Sequence, residues 1–298
     1  MFESIQRNKI KTAFIVAIIT AFLAFIVYYI AYAAGYGESA LILAVVISCA
    51  SSLLSYFSCD KMVLRISGAR PADEQSDALV RNAMERLCIA AELPMPRVYI
   101  IEDSTANAFA TGRNPKHAVV CVTTGLLQKM DSYELEGVLA HELAHIGNRD
   151  ILLSTVVTVM VGIAVIISDI WSRSIFWYGG RRRSSNEDRG ANGIFAIIGL
   201  VFMIVAPIAG QLMKLALSRN REYLADATAV KFTGNPMGLI SALRKLGGET
   251  QSVKRATNAT ANLYITNPFK AAAGKRASNL FSTHPPIEER IRELEKLF

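Results

Sequence analysis

The chain has 298 residues, 52% of them hydrophobic, and a mean hydropathy of +0.30. This apolar excess is larger than an ordinary soluble domain carries, which excludes that class. The formal net charge is +7, but the basic residues are not interleaved with aromatic ones and several flank apolar segments, so we expect membrane orientation and no nucleic-acid partner.

The apolar residues are concentrated in four segments, each long enough to span a bilayer. These segments are Ile10–Ala34, Ala40–Cys59, Ile151–Ile170 and Ile194–Leu217. The first could be a cleaved signal segment, but it is longer than a secretory apolar region and a second apolar segment follows after a short turn. We therefore predict an N-terminal transmembrane hairpin. Basic residues flank the hairpin but are absent from its turn, so both ends should be cytoplasmic.

Residues 61–150 have the pattern of the first half of a folded domain outside the membrane. A helix is predicted over Ser76–Glu92, and two strands follow it. The predicted strands are Arg97–Glu102 and Ala118–Thr123. Asp131 and Glu134 have the spacing of a capping box, which predicts the start of a helix that carries residues 141–145.

The sequence His141-Glu142-Leu143-Ala144-His145 places two imidazoles four residues apart on one face of that helix. Both can then reach a single tetrahedral ion, and neutral imidazoles suit Zn²⁺. Glu142 lies beside them, where a carboxylate can take a proton from an attacking water. The pattern predicts a zinc site that hydrolyses peptide bonds. Another divalent metal is an open alternative, because such donors do not select one ion.

A hydrolytic zinc site needs a third protein ligand. The metzincin pattern would require Gly at position 148 and His at position 151, but this chain has Asn148 and Ile151. Glu222 is a candidate carboxylate ligand, and Asp226, four residues later on the same helical face, could orient a ligand imidazole. The alternative is an ordinary pair on a helix surface.

The third and fourth apolar segments separate the histidines from Glu222. One ion cannot bind residues on two sides of a membrane, so this pair must cross an even number of times or not at all. A spanning pair would place Arg173 and the arginines of the loop 181–189 outside, against the usual charge bias. A pair that is buried in the membrane surface or against the first hairpin remains the alternative.

The predicted organisation has four parts. They are a transmembrane hairpin at 1–60, a first half of the metal-binding domain at 61–150, an inserted apolar helical pair at 151–217, and a second half at 218–298. The last part ends in a predicted helix with Ile291, Leu294 and Phe298 on its apolar face.

Several segments resemble the HtpX family of membrane zinc endopeptidases, which is related to the CAAX prenyl proteases. The resemblance rests on the hairpin, on His-Glu-Leu-Ala-His, on residues 218–226, and on Ser282-Thr283-His284-Pro285-Pro286. It implies a mainly α integral-membrane protein with a gluzincin-type domain and a small β-sheet. It further implies one zinc per chain, with Glu222 as third ligand and Asp226 supporting the metal histidines.

The resemblance also implies substrate-binding residues. Asn107, Ala108 and Phe109 belong to a segment similar to the family's edge strand, where an extended substrate would pair. A plain turn between two strands is the alternative for this segment. His284 is a candidate catalytic donor to the oxyanion, or else a cap of the final helix, and Arg219 and Arg221 are rival oxyanion candidates.

The implied setting is the bacterial inner membrane, with a multi-pass chain whose site faces the cytoplasm and degrades damaged or misassembled membrane proteins. The expected partners are polypeptide substrates and the bilayer, and the oligomeric state is left open. Two alternatives are a membrane scaffold with structural zinc and a processing protease for lipidated C-termini. Glu142 favours catalysis, because a structural zinc site needs no base.

Overall fold

The structure, a computed structural model, describes residues 2–33, 35–156, 219–257, 260–269 and 285–296. In these ranges we number eight α-helices and four strands in chain order. The helices are α1 (Phe2–Ala33), α2 (Ser39–Ser67), α3 (Ala78–Ala91), α4 (Thr124–Lys129), α5 (Ser132–Gly147), α6 (Arg219–Thr233), α7 (Pro236–Gly247) and α8 (Ile287–Glu295). The strands are β1 (Arg70–Pro71), β2 (Arg97–Ile101), β3 (Ala108–Gly112) and β4 (Ala118–Thr123).

The first two helices form the predicted hairpin. Each contains a segment long and apolar enough to cross a membrane, with mean hydropathies of 2.3 and 2.2. Large apolar side chains such as Phe14, Leu41 and Leu54 are exposed along them. Their outer surface is suited to lipid. Residues 151–156 are helical, and the rest of the predicted inserted pair lies outside the described residues.

The sheet is small and mixed, with the strand order β1-β2-β4-β3. β2 and β4 are parallel, whereas β3 pairs antiparallel with β4 and lies at the edge of the sheet. Residues 108–112 of this segment therefore form a strand, and the alternative of a plain turn is wrong. The strands predicted at 97–102 and 118–123 are confirmed, as is the helix predicted over 76–92.

Each face of the sheet has its own apolar core. On one face the strands pack against α3, α5 and α7. On the other face Phe109, Val119 and Cys121 pack against Val63 and Leu64, which belong to the last turns of α2. The membrane hairpin thus continues without a break into the core of the folded domain.

Polar contacts fix this junction further. Arg97 forms an ion pair with Asp60 at 2.5 Å, and the Arg113 guanidinium lies 4.9 Å from the centre of the Phe57 ring. Tyr56 and Phe57 are near the end of the apolar part of α2, where aromatic side chains usually mark the membrane–water boundary. β3, which Arg113 follows directly, is therefore held close to the end of the apolar part of α2.

The central helix α5 begins as predicted. The Asp131 side chain accepts a hydrogen bond from the backbone of Glu134, and the Glu134 side chain accepts one from the backbone of Asp131. Glu134 also pairs with Lys245 of α7 at 2.5 Å. At Gly137 the backbones of α5 and α7 are so close that an added Cβ would lie 2.6 Å from the Leu239 nitrogen. These contacts fix the position of the helix that carries residues 141–145.

Candidate metal centre

Two histidines of α5 and a glutamate of α6 converge in the interior of the protein. The Nε2 atoms of His141 and His145 are 3.2 Å apart. Glu222 brings one carboxylate oxygen to 3.8 Å from His141 Nε2 and the other to 3.6 Å from His145 Nε2. Among the described residues, these three form a group whose ligand atoms lie close enough together to hold one metal ion. The helical spacing of the histidines directs both rings to the same point.

Each histidine has a carboxylate behind it. Asp226 lies 2.9 Å from His141 Nδ1, and Asp150 lies 3.3 Å from His145 Nδ1. A carboxylate at Nδ1 fixes the orientation and tautomer of the ring and leaves Nε2 available as a ligand. Asp226 was named from the sequence for this role. Asp150 was not, because it follows the helix and looks like a residue of an exposed turn.

A fully buried arginine stands behind the cluster. Arg290 of α8 has no exposed surface and donates two hydrogen bonds to Asp226, from Nε at 2.9 Å and from Nη2 at 2.6 Å. Its Nη1 lies 3.8 Å from a Glu222 oxygen. One arginine thus balances the charge of two buried carboxylates, since buried charges are tolerated only when paired. The sequence analysis missed Arg290. The sequence signal that could have found Arg290 is its position four residues before Leu294, which places both residues on the same face of the last helix.

The two histidines lie in different electrostatic environments, which shift their pKa values in opposite directions. Burial lowers the pKa of His141 to about 4, and the positive charge of Arg290 acts in the same direction. Burial also opposes protonation of His145, but the hydrogen bond with Asp150 and the charge of Glu222 outweigh it and raise that pKa to about 9. The site therefore favours a cation at His145, and a metal ion would take the place of the proton there.

Glu142 lies beside the cluster. It is almost completely buried, and burial raises its pKa to about 7, with the negative charge of Glu222 acting in the same direction. A backbone hydrogen bond from Ala110 of β3 opposes this rise. A carboxyl whose pKa lies near neutrality can both accept and return a proton at physiological pH.

A cavity of about 30 Å³ opens beside these groups. It has room for about one water molecule. Among its lining residues are Ala110, Glu142, His145, Glu222 and Leu263. The reacting groups thus face a confined space between α5, α6 and the edge strand β3.

The other residues named from the sequence have varied positions. Arg221 is buried, lines the cavity and lies 3.8 Å from Asp150, whereas Arg219 is exposed at the start of α6. Asn107, Ala108 and Phe109 are buried at the edge of the sheet, where they contact β4 on one side and residues 264–266 on the other. His284 lies outside the described residues.

The donor set fits a tetrahedral zinc ion. Zinc bonds of 2.0–2.1 Å place neighbouring ligand atoms roughly 3.3 Å apart, close to the 3.2–3.8 Å separations between these atoms. Two imidazoles with carboxylates at Nδ1 and one carboxylate would be three protein ligands, and His145 and Glu222 share an open cavity with Glu142. That open side is what a catalytic zinc site requires, whereas a structural site is closed by four protein ligands.

Comparison with known proteins agrees with this geometry: the protein is a membrane metalloendopeptidase. The chain belongs to peptidase family M48, whose sequence profile matches residues 74–298. It is 44% identical over 298 residues to the "Protease HtpX homolog" of Thermoanaerobacter pseudethanolicus, covering 100% of this chain and 98% of the relative. It is 42% identical over 311 residues to the protein of the same name from Listeria monocytogenes serotype 4a, covering 100% of both. The resemblance to the HtpX family is confirmed.

A solved structure supports the fold. The crystal structure of S. mikatae Ste24p matches 99% of this chain and 67% of its own chain, with a TM-score of 0.53 and 18% sequence identity. At that identity the likeness concerns the fold alone. The mostly helical architecture with two apolar helices and a small mixed sheet is therefore a Ste24p-like fold.

Proposed function

We propose that the protein is a zinc-dependent endopeptidase that cleaves damaged or misfolded membrane proteins at the cytoplasmic side of the bacterial inner membrane. The observation that carries this proposal is the convergence of His141, His145 and Glu222 on one point with Glu142 beside it. In this proposal, His141, His145 and Glu222 are the three protein ligands of one zinc ion.

A zinc ion held by these residues would polarise the scissile carbonyl and make water a better nucleophile. Glu142 accepts the proton of the water as its oxygen bonds to the carbonyl carbon. Glu142 then returns this proton to the amide nitrogen, which leaves as an amine when the carbon–nitrogen bond breaks. Arg221 lines the same cavity and is the donor that we assign to the developing oxyanion, since Arg219 is exposed.

The junction between hairpin and domain supports membrane proteins as substrates. α2 runs from the apolar segment directly into the core beneath the sheet, and Arg113 contacts Phe57 at the end of that segment. Ala110 is three residues from Arg113, at most roughly 11 Å along an extended strand. The site is thereby held near the bilayer, where segments next to a transmembrane helix are within reach.

The test is cleavage by protein purified in detergent, before and after removal of metal with a chelator and after return of zinc. The substrates are an unfolded soluble protein and a membrane protein with a destabilised cytoplasmic loop. We expect cleavage of both, its loss on chelation and its recovery with equimolar zinc. If the protein holds zinc and cleaves neither substrate, the proposal is wrong and a scaffold with structural zinc is the better account.

A further inference from the structure

The turn that ends α5 has an unusual backbone conformation. Arg149 has a φ of 61°, in the left-handed region that favours glycine. Its nitrogen donates to the Ile146 carbonyl, and the Asp150 nitrogen donates to the His145 carbonyl at 3.0 Å. These two hydrogen bonds form a Schellman motif, in which the chain reverses after a helix. The strain at Arg149 therefore accompanies a turn that folds Asp150 back against His145.

The carboxylate of Asp150 faces two different groups. Its Oδ2 lies 3.3 Å from His145 Nδ1, and its Oδ1 lies 3.8 Å from Arg221 Nε. Asp150 and Arg221 are both buried, and all three residues line the same cavity. Water screens charges little in such a place, so the attraction between carboxylate and guanidinium is strong. One carboxylate thus connects a histidine of the metal cluster with the cation beside it.

The helix α6 alone does not direct Arg221 toward the metal cluster. Arg221 directly precedes Glu222, whose carboxylate belongs to that cluster. Neighbouring residues of a helix point about 100° apart, so Glu222 and Arg221 leave α6 in different directions. A long arginine side chain also has many conformations, and a partner is needed to hold its guanidinium in one of them. Asp150 is a partner on the side of the cavity.

The helical turn that follows Asp150 is attached to the sheet. The buried Thr155 hydroxyl donates to the Ile151 carbonyl at 2.5 Å. Because a hydroxyl has one hydrogen, Thr155 accepts from the Thr111 hydroxyl at 3.0 Å and from the Gly112 nitrogen at 3.3 Å. Asp150 is therefore held on one side by the Schellman turn and on the other by this attachment to β3.

Building on the proposed function, in which His145 binds zinc and Arg221 stabilises the oxyanion, we infer that Asp150 is a positioning residue for both. Its carboxylate fixes the guanidinium of Arg221 relative to the ring of His145. A donor that is already in place stabilises a developing charge best, because nothing has to reorganise during the reaction. Loss of the Asp150 charge should therefore have two separable effects, one on zinc binding through His145 and one on kcat through Arg221.

The experiment uses the full-length protein in detergent, with the unfolded soluble protein as substrate. Zinc affinity is measured by competition with a chelator, and kcat and KM are measured per zinc-loaded chain. The variants are Asp150→Asn, Arg221→Met and the double variant. Asparagine has nearly the shape of aspartate, so Asp150→Asn removes the charge and little packing.

We expect Asp150→Asn to weaken zinc binding by about 10- to 100-fold. It should also lower kcat by about 10- to 100-fold with KM nearly unchanged, because a displaced oxyanion donor acts on the transition state. In the presence of Arg221→Met, the effect of Asp150→Asn on kcat should shrink to less than about threefold, since the group through which Asp150 acts is gone.

Asp226→Asn is the matched control. Asp226 also supports an imidazole of the cluster, but its arginine partner is Arg290. Asp226→Asn should weaken zinc binding as well, whereas its effect on kcat should be the same with and without Arg221→Met. Rates per zinc-loaded chain do not depend on the fraction of unfolded protein, so a destabilised variant still reports on positioning.

The inference would be overturned by an Asp150→Asn protein with wild-type zinc affinity or wild-type kcat. Equal losses of kcat from Asp150→Asn with and without Arg221→Met would overturn it too. In each of these cases zinc-dependent cleavage by the wild-type protein leaves the proposed function intact. A wild-type protein that holds zinc and cleaves nothing contradicts the proposed function, and this inference with it.

Discussion

Glu142→Gln is expected to lower kcat for peptide cleavage by about 10²- to 10⁴-fold while the protein keeps its zinc. Glutamine has nearly the shape of glutamate, so the packing around this buried position is retained, but an amide cannot accept the proton of water. The metal-binding atoms belong to His141, His145 and Glu222 and are untouched. Initial cleavage rates and zinc content, measured on the same preparation, check this expectation.

The matched control is Glu136→Gln on the same helix. Glu136 pairs with Arg86 at the surface, away from the cavity, and its replacement should leave both the rate and the zinc content near the wild-type values. Cleavage by Glu142→Gln at more than about a tenth of the wild-type rate would rule out Glu142 as the base. If the Glu142→Gln protein instead lost its zinc, the role of Glu142 would be to maintain the metal site.

Arg290→Met should destabilise the protein and weaken its hold on zinc. Removing the guanidinium leaves Asp226 buried without its bidentate partner, and breaking a buried ion pair in this way costs about 3–5 kcal/mol in the free energy of unfolding. Asp226 also orients His141, and loss of such support weakens metal affinity by roughly 10- to 100-fold. Denaturant unfolding and zinc competition with a chelator measure the two effects.

Two further variants separate charge from geometry. Arg290→Lys keeps the positive charge but cannot form both hydrogen bonds with Asp226, so it should restore part of the stability and less of the zinc affinity. Arg292→Met, at an exposed position two residues along the same helix, should change neither quantity. Wild-type zinc affinity in Arg290→Met would show that this arginine does not act on the metal centre.

The sequence predicted those parts of the fold that depend on local patterns. The capping box at Asp131 and Glu134 was predicted because side chains near a helix end interact with their own backbone. The two histidines were predicted on one face because a helix brings positions four apart together. Convergence with Glu222 could be expected only from the chemistry of zinc, which demands a third ligand.

The parts that escaped prediction depend on tertiary contacts. Arg290 lies on an amphipathic helix rich in charged residues, where a surface role is the usual expectation, and only the neighbouring carboxylates explain its burial. Asp150 likewise acquires its role from the ring of His145. Residues 264–266 lack a regular hydrophobic period, so their pairing with the edge of β3 is not encoded in any local pattern.

The most direct test of the metal centre is the zinc content and cleavage rate of Glu222→Ala beside those of the wild-type protein, after exhaustive dialysis of both. The account predicts one zinc per wild-type chain, and from Glu222→Ala the loss of both tightly bound zinc and cleavage. A Glu222→Ala protein that kept one tightly bound zinc and cleaved at the wild-type rate would contradict the assignment of the third ligand and with it the proposed mechanism.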